Sequence, residues 1–417
     1  MAVAPVPPAT SRAERLALAT SALFLFAAPF AASAGTRAAC LIIATLSIAF
    51  GGSWREMASR LPARAITTAI AAWFLLAPLS LAWTRNASYT LAELRGEAFY
   101  DLLAFIVFLA LASDAKRWRL WCVALFAGAL AALLAKEFQN AIAMPLWRHS
   151  PDGGPGAFST HLVLVAPLFV ALVWASPWGF RRGAGLLAVA IVTLVFAAWA
   201  AREPWTTPNR IVWPALAVVF FVAVVATRRS GAFPREGIKG LRSVMLAGAV
   251  AIAIAFGASI AAKNERFYRD DPSPTASVDQ DLRPRLWSVG LERWKEAPLL
   301  GHGYGREILA DAFLPETPQG VAHPPVRHAH NAFLNIALQL GGVGLAAFVA
   351  VLFLLCRQYG SLLARADTAI FGVIGLALLA GFVTKNLTDD FMHRHNAQVF
   401  WALNGMLLGF SARVRAG

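Results

Sequence analysis

Between Arg283 and Gly344 the chain carries its only long polar stretch, and the residue types in it are those of proton transfer and anion binding. It runs Arg283-Pro-Arg-Leu-Trp287, then Ala297-Pro-Leu-Leu-Gly-His-Gly-Tyr-Gly305, then Val326-Arg-His-Ala-His-Asn331, and passes directly into an apolar run. Four of the eight histidines lie here: His302, His323, His328 and His330. His-x-His offers two ligands, with no third His, Cys or carboxylate at a regular offset, so neither a metal nor another cofactor is expected. His330 sits just ahead of a helix, where the dipole disfavours imidazolium. A neutral imidazole there can accept a proton from a hydroxyl, which makes His330 the candidate general base. His328 is the fallback, and capping of the helix is the competing role. The alternating glycines Gly301, Gly303 and Gly305 suit a phosphate cradle or a plain turn.

These residues must be held by helices. The chain has 417 residues, 58% hydrophobic and 14% charged, where a soluble domain carries about 25% charged residues. Its apolar runs do not alternate as the strands of a membrane barrel do. The fold class expected is an all-α polytopic membrane protein. At about 20 residues per span, some twelve helices fall near 16–35, 38–54, 65–83, 98–113, 119–135, 159–178, 184–201, 210–227, 243–262, 331–356, 367–386 and 396–412. The division expected is nine spans over 1–262, a large loop over 263–330 and three spans over 331–417. The first apolar run reads as a retained span rather than a cleaved signal peptide, because a second follows at once. Within the large loop, Leu286, Val289, Leu291 and Trp294 recur at helical spacing, so residues 282–298 form an amphipathic helix, with Trp287 and Trp294 packing it on the membrane. Trp205 and Trp213 are expected as interfacial anchors. Cys40, Cys122 and Cys356 lie in apolar runs and are expected as buried free thiols.

The net charge is +14. Most of it suits anchoring at the cytoplasmic face and contact with membrane lipids, and no soluble basic domain is present to bind nucleic acid. Loops on the side of the two termini carry about twice the basic residues of the opposite short loops, which places both termini in the cytoplasm and the 263–330 loop outside, in the periplasm of a bacterium. Arg202, Arg210, Arg266, Arg269, Arg283, Arg285, Arg327 and Arg394 then lie on the disfavoured side. An anionic ligand at the outer face accounts for them, since the guanidinium fork donates paired hydrogen bonds to phosphate. Lipid headgroups and nearby acids such as Asp279 and Asp281 compete for the same arginines. In the last outer loop Asp389, Asp390, His393, Arg394 and His395 crowd a short turn, as orienting groups or as helix caps. No ionisable group is expected in mid-span, and no internal repeat is evident.

Three pieces of the chain resemble the O-antigen ligase and polymerase superfamily of bacterial inner-membrane proteins. Asn209-Arg-Ile-Val-Trp213 resembles its Ser-Arg-x-x-Trp element, with Asn in place of Ser. Arg283-Pro-Arg-Leu-Trp287 followed by Pro298-Leu-Leu-Gly-His-Gly303 resembles Arg-x-x-x-Trp with Pro-x-x-Gly-x-Gly. His330-Asn-x-x-Leu334 followed by Gly341-Gly-x-Gly344 resembles His-Asn-x-x-Leu with Gly-x-x-Gly. The resemblance covers mainly residues 202–345. It implies a fold like that of the multi-span glycosyltransferases and a glycan transferred from undecaprenyl diphosphate to a hydroxyl. In a ligase, an O-antigen donor meets a lipid A–core acceptor. It also implies Arg210, Arg283 and His330 as essential groups without a metal. Arg285 competes for the role of Arg283 if the register shifts by two. Asp389 and Asp390 are equivalent candidates for the acid of the last loop, and His328, Asn331 and Arg394 are candidates for substrate contact. A polymerase or a protein oligosaccharyltransferase would use the same residues. The moderate size of the outer loop and the lack of a soluble domain after the last helix favour a ligase. A lipid-linked oligosaccharide flippase is the non-enzyme alternative, disfavoured because the polar groups gather at one face.

Overall fold

The computed structural model describes residues 11–51, 61–142, 155–174, 210–230, 281–317 and 325–416, with scattered positions between 250 and 265. Every element among them is helical. In chain order they are α1 (Arg12–Ala27), α2 (Ala34–Phe50), α3 (Arg64–Leu79), α4 (Ala87–Glu93), a π turn (Leu94–Ala98), α5 (Phe99–Leu111), α6 (Ala115–Ile142), α7 (Pro155–Trp174), α8 (Val212–Arg229), α9 (Arg283–Glu296), α10 (Ala332–Leu362), α11 (Ala369–Asn386) and α12 (Arg394–Ala416). Among the described residues four helices are long and apolar enough to cross a membrane: Arg64–Ala82, Val212–Arg229, Ala332–Leu362 and Ala369–Asn386. The spans expected near 184–201 and 243–262 lie outside or almost outside the described residues.

Helices α5 and α12 form the tightest pair, and around them α1, α2, α3, α10 and α11 share one apolar core. Its centre is aromatic: Trp401 meets Phe74 at 4.8 Å and Phe105 at 6.1 Å between ring centroids. Helices α7, α8 and α11 close a second core at one side. Association of apolar helices in lipid depends on close packing rather than on expulsion of water, and small residues at the contact permit it. Gly405 of α12 is such a residue, because a Cβ there would lie 2.4 Å from the Phe105 carbonyl oxygen of α5.

Several expectations are corrected. The helix expected at 98–113 begins eleven residues earlier, at Ala87, because the π turn carries it through without a break. One buried ionisable group, Asp101, lies midway along the helix that runs on from Ala87, while Lys385 and Arg37 are buried in the last turn of α11 and the first turn of α2. Arg37 donates from Nη1 to the Phe30 carbonyl at 2.8 Å and to Ser33 Oγ at 2.7 Å. Trp213 is no interfacial anchor, since it is 1% exposed inside the second core. Cys356 is exposed on its helix rather than buried. Trp294 packs on a small core formed by Leu286, Ile308, Leu309, Phe313 and Ala329 of the loop with Leu338 of α10.

Replacing Gly405 by Ala forces the α5 and α12 backbones apart and is expected to cost about 1–3 kcal/mol. Gly360→Ala, where a Cβ meets nothing within 4 Å, is expected to be neutral or stabilising by up to about 1 kcal/mol. Thermal unfolding of the two variants in detergent separates them.

Candidate active site

Helix α10 is broken at Gly341, whose backbone sits at φ 66°, ψ −166°. In an unbroken helix the carbonyls of Leu338 and Gln339 would accept from the amides of residues 342 and 343. Instead the Gly342 and Val343 amides donate to the carbonyls of Pro298 (2.8 Å) and Leu299 (3.2 Å). The Leu338 and Gln339 carbonyls accept from the His302 and Gly303 amides, both at 2.9 Å. The glycine-rich turn therefore fills the break in the helix. Contact is backbone to backbone, so a Cβ on Gly341 would lie 2.1 Å from the Leu299 carbonyl, and one on Gly301 2.5 Å from that of Gln339. The other edge of the turn is tied to the end of α3 and the segment after it. The His302 carbonyl accepts from the Arg85 amide (3.0 Å), the Leu300 carbonyl from Trp83 Nε1 (2.8 Å), and the Tyr304 amide donates to Ser80 Oγ (2.9 Å). The Gly305 amide is taken by Gln339 Oε1 at 2.9 Å. This overturns the phosphate-cradle reading, because the amides of residues 302, 303 and 305 already have acceptors.

Helix α9 starts as its sequence suggests, with Pro284 in the first turn, where its missing N–H costs nothing. It lies on α10 through Leu286 and through Gly290, which faces Leu334 and Ala329. Its first residue, Arg283, donates from Nη1 to Asp281 Oδ2 at 2.7 Å, and its amide donates to Asp281 Oδ1 at 3.0 Å. Arg210, just before α8, donates from Nη2 to the same Oδ2 at 3.2 Å. Two arginines 73 positions apart in sequence thus converge on one carboxylate oxygen. Arg285 is 70% exposed and pairs with Glu316. It takes a different partner from the one that Arg210 and Arg283 share.

His330 stands immediately before the N-cap of α10. Asn331 caps that helix through Oδ1 with the Leu334 amide (3.0 Å) and donates from Nδ2 to the Leu387 carbonyl (2.8 Å). The Ala332 amide donates to the Asp389 carbonyl at 3.0 Å, which docks the 387–393 loop on the start of α10. His330 itself adopts φ 49°, a left-handed conformation uncommon outside glycine and found where surrounding contacts hold it. Its Nδ1 lies 3.4 Å from Asp389 Oδ1, while Lys385 Nζ, wholly buried, lies 3.4 Å from Oδ2. Burial alone would raise the Asp389 carboxyl; Lys385, the His330 hydrogen bond and Arg283 outweigh it and hold the carboxyl below the usual carboxylate range. The Arg283 charge also acts on the Asp389 carboxyl. An ionised carboxylate can only accept. His330 therefore donates from Nδ1, which leaves Nε2 as the ring nitrogen not used by Asp389.

His328 is differently placed. It is 8% exposed, and its ring lies 4.2 Å from that of His330. Arg306 Nη2 is 2.9 Å from its Nε2. A guanidinium only donates, so that nitrogen's lone pair is engaged. Burial first, then Arg306, hold His328 well below the usual histidine range. Arg306 also reaches the Asp390 carbonyl (2.6 Å), and Asp390 Oδ2 accepts from Asn335 Nδ2 (2.6 Å). Burial raises the Asp390 carboxyl despite Arg306. The two candidate acids thus differ: Asp389 faces His330, and Asp390 holds Arg306. Arg394, also left-handed at φ 46°, lies with Nε 3.9 Å from Glu97, apart from the arginine pair. Asp281, named from the sequence among the acids that compete for these arginines, is the partner both of them take, whereas Arg306 and Lys385 were not singled out. An arginine directly after the Gly-x-Gly-x-Gly turn and a lysine ending an apolar run are the signals that mark the last two.

Residues 167–349 match the family model described as O-Antigen ligase, the family whose elements the motifs resemble. The matched stretch contains Arg210, Arg283, Arg306, His328 and His330, while Lys385, Asp389 and Asp390 lie beyond it. No curated protein matches the chain.

Removing Asp389 strands a buried lysine, so Asp389→Leu is expected to cost about 3–5 kcal/mol, with most of it recovered in Lys385→Met/Asp389→Leu. Because the Asp389 pKa is depressed on folding, its contribution is complete at neutral pH. It is lost only as pH falls through about 4, the value of a free aspartate, toward the folded value. Unfolding in detergent across pH reads both effects.

Proposed function

We propose that this chain is a glycosyltransferase of the outer face of the bacterial inner membrane, moving an O-antigen glycan from undecaprenyl diphosphate to a hydroxyl of the lipid A–core oligosaccharide. One observation carries the reading. Arg210 and Arg283 share the Asp281 carboxylate, and the Arg283 charge acts on Asp389, the partner of His330. The family match over residues 167–349 supports the reaction class.

The chemistry follows from charge. As the bond from the anomeric carbon to the diphosphate oxygen breaks, negative charge grows on the leaving lipid diphosphate. Arg210 and Arg283, already held side by side and largely shielded from solvent, take that charge in exchange for Asp281. Preorganised charges in a partly dry site act more strongly than the same charges in water. The acceptor hydroxyl attacks the anomeric carbon from the opposite face as His330 Nε2 removes its proton. Asp389 steadies the imidazolium that forms. The products are the new glycosidic bond, with inverted configuration, and undecaprenyl diphosphate. His330 is 34% exposed at its side chain, so an acceptor can reach it. His328, with Nε2 engaged by Arg306, positions its neighbour rather than taking the proton.

Glycan transfer by the purified chain in vesicles, with a lipid diphosphate-linked donor, tests this. His330→Ala is expected to lower the rate about 10²–10⁴-fold and Arg283→Ala about 10²–10³-fold, with normal membrane insertion. Arg285→Ala should stay near the parent rate. Full activity of His330→Ala would remove the base assignment. In a deletion strain, loss of surface O-antigen while polymerised chains build up on the lipid carrier is the ligase outcome; single repeats attached to lipopolysaccharide would instead indicate a polymerase.

A further inference from the structure

A second cluster of ionisable groups lies beside the first and takes no part in the chemistry above. Glu93 and Glu97, on either side of the π turn's start, meet His393 from the last loop. Each offers one ligand atom, and these atoms lie within 4.8 Å of one another. The backbone on both sides is unusual. The π turn closes with the Phe99 amide on the Leu94 carbonyl, and Arg394, next to His393, is left-handed. Such distortions recur where side chains are aimed at a ligand.

A further observation comes from the next turn of the helix. Asp101 is 5% exposed, and its Oδ1 has no hydrogen-bond partner among the described residues. It lines a cavity of about 30 Å³ together with Glu97, Tyr304, Arg306 and Asp390. Glu93 Oε2 is likewise buried without a hydrogen bond, while Glu97 Oε1 faces His393 Nδ1 at 2.5 Å. Uncompensated carboxylates in such a place are costly. The cations at hand are largely engaged: Arg306 holds Asp390 and His328, and Arg394 is 46% exposed with Nε 3.9 Å from Glu97. Size then decides what completes the set. A water needs about 10–15 Å³, so the cavity, which Glu97 and Asp101 line and Glu93 and His393 adjoin from outside its lining, is too small for a sugar or a phosphate and has room for a single ion.

We infer that Glu93, Glu97 and His393, with Asp101 behind them, form a binding site for one divalent first-row cation. Two or three carboxylates with one imidazole suit Mn²⁺ or Zn²⁺, an oxygen-rich set with a single nitrogen. The ion is not on the path of the departing diphosphate. It ties the α4–α5 joint to the loop that carries Asp389 and Asp390, and so sets where that loop sits against α10. The inference is independent of the proposed reaction, because it is read by binding and stability alone.

The test uses the full chain, purified in detergent, stripped with chelator and titrated with Mn²⁺ by electron paramagnetic resonance. About one ion per chain is expected, with a rise in unfolding temperature on binding. Glu97→Gln and His393→Ala should weaken Mn²⁺ binding at least tenfold, and Glu93→Gln, at the rim, provides a milder variant if the buried changes prevent folding. Arg283→Ala should bind as the parent does. Absence of bound Mn²⁺, with no thermal shift from Zn²⁺ either, overturns the inference. So does binding that all three site variants leave unchanged.

Discussion

Two amides and two carbonyls are released where α10 breaks at Gly341. The turn from Pro298 to Gly303 supplies a partner for each. Non-helical backbone in a membrane protein persists only where protein or a water-filled cavity completes its hydrogen bonds. This exchange has consequences along the chain. It holds the turn against both α10 and the end of α3, and so settles where Arg306 emerges. It also lets α9 lie along α10, which brings Arg283 to the mouth of α8 where Arg210 waits. Glycine is required at the crossing because neither backbone leaves space for a Cβ.

The site then follows from compensation of charge. Asp281 draws Arg210 and Arg283 together, and Asp389 draws Lys385 and His330. Each acid neutralises cations that would otherwise repel, and each leaves them placed for another anion. Arg306 performs a similar task between His328 and Asp390. The left-handed backbone at His330 belongs to the same economy of constraint: it turns the chain sharply between the loop and α10, with Asn331 capping the helix and the 387–393 loop tied to both.

Much of this site was legible beforehand in kind. Arg210, Arg283 and His330 stood out as polar residues at the ends of apolar runs, and their neighbours resembled known elements. Asp389 and Asp390 were indistinguishable in sequence, since adjacent identical residues differ only in the direction the backbone sends them. Arg283 and Arg285 were ambiguous for a related reason: two positions along a helix turn a side chain by more than half a circle. The cavity beside Asp101 escaped notice because an acid inside an apolar run gives no sign of what faces it.

Apolar run length and the scarcity of charge determined by themselves that this chain forms membrane helices, and the turn residues marked where they stop. Helix formation is local, so composition and period suffice for it. Which ends of those helices meet is not local. The pairing of the Gly-rich turn with the break in α10, the sharing of Asp281 by two distant arginines and the division of labour between Asp389 and Asp390 were decided only by the tertiary structure. Each depends on backbone groups and charges from segments far apart finding partners in one another.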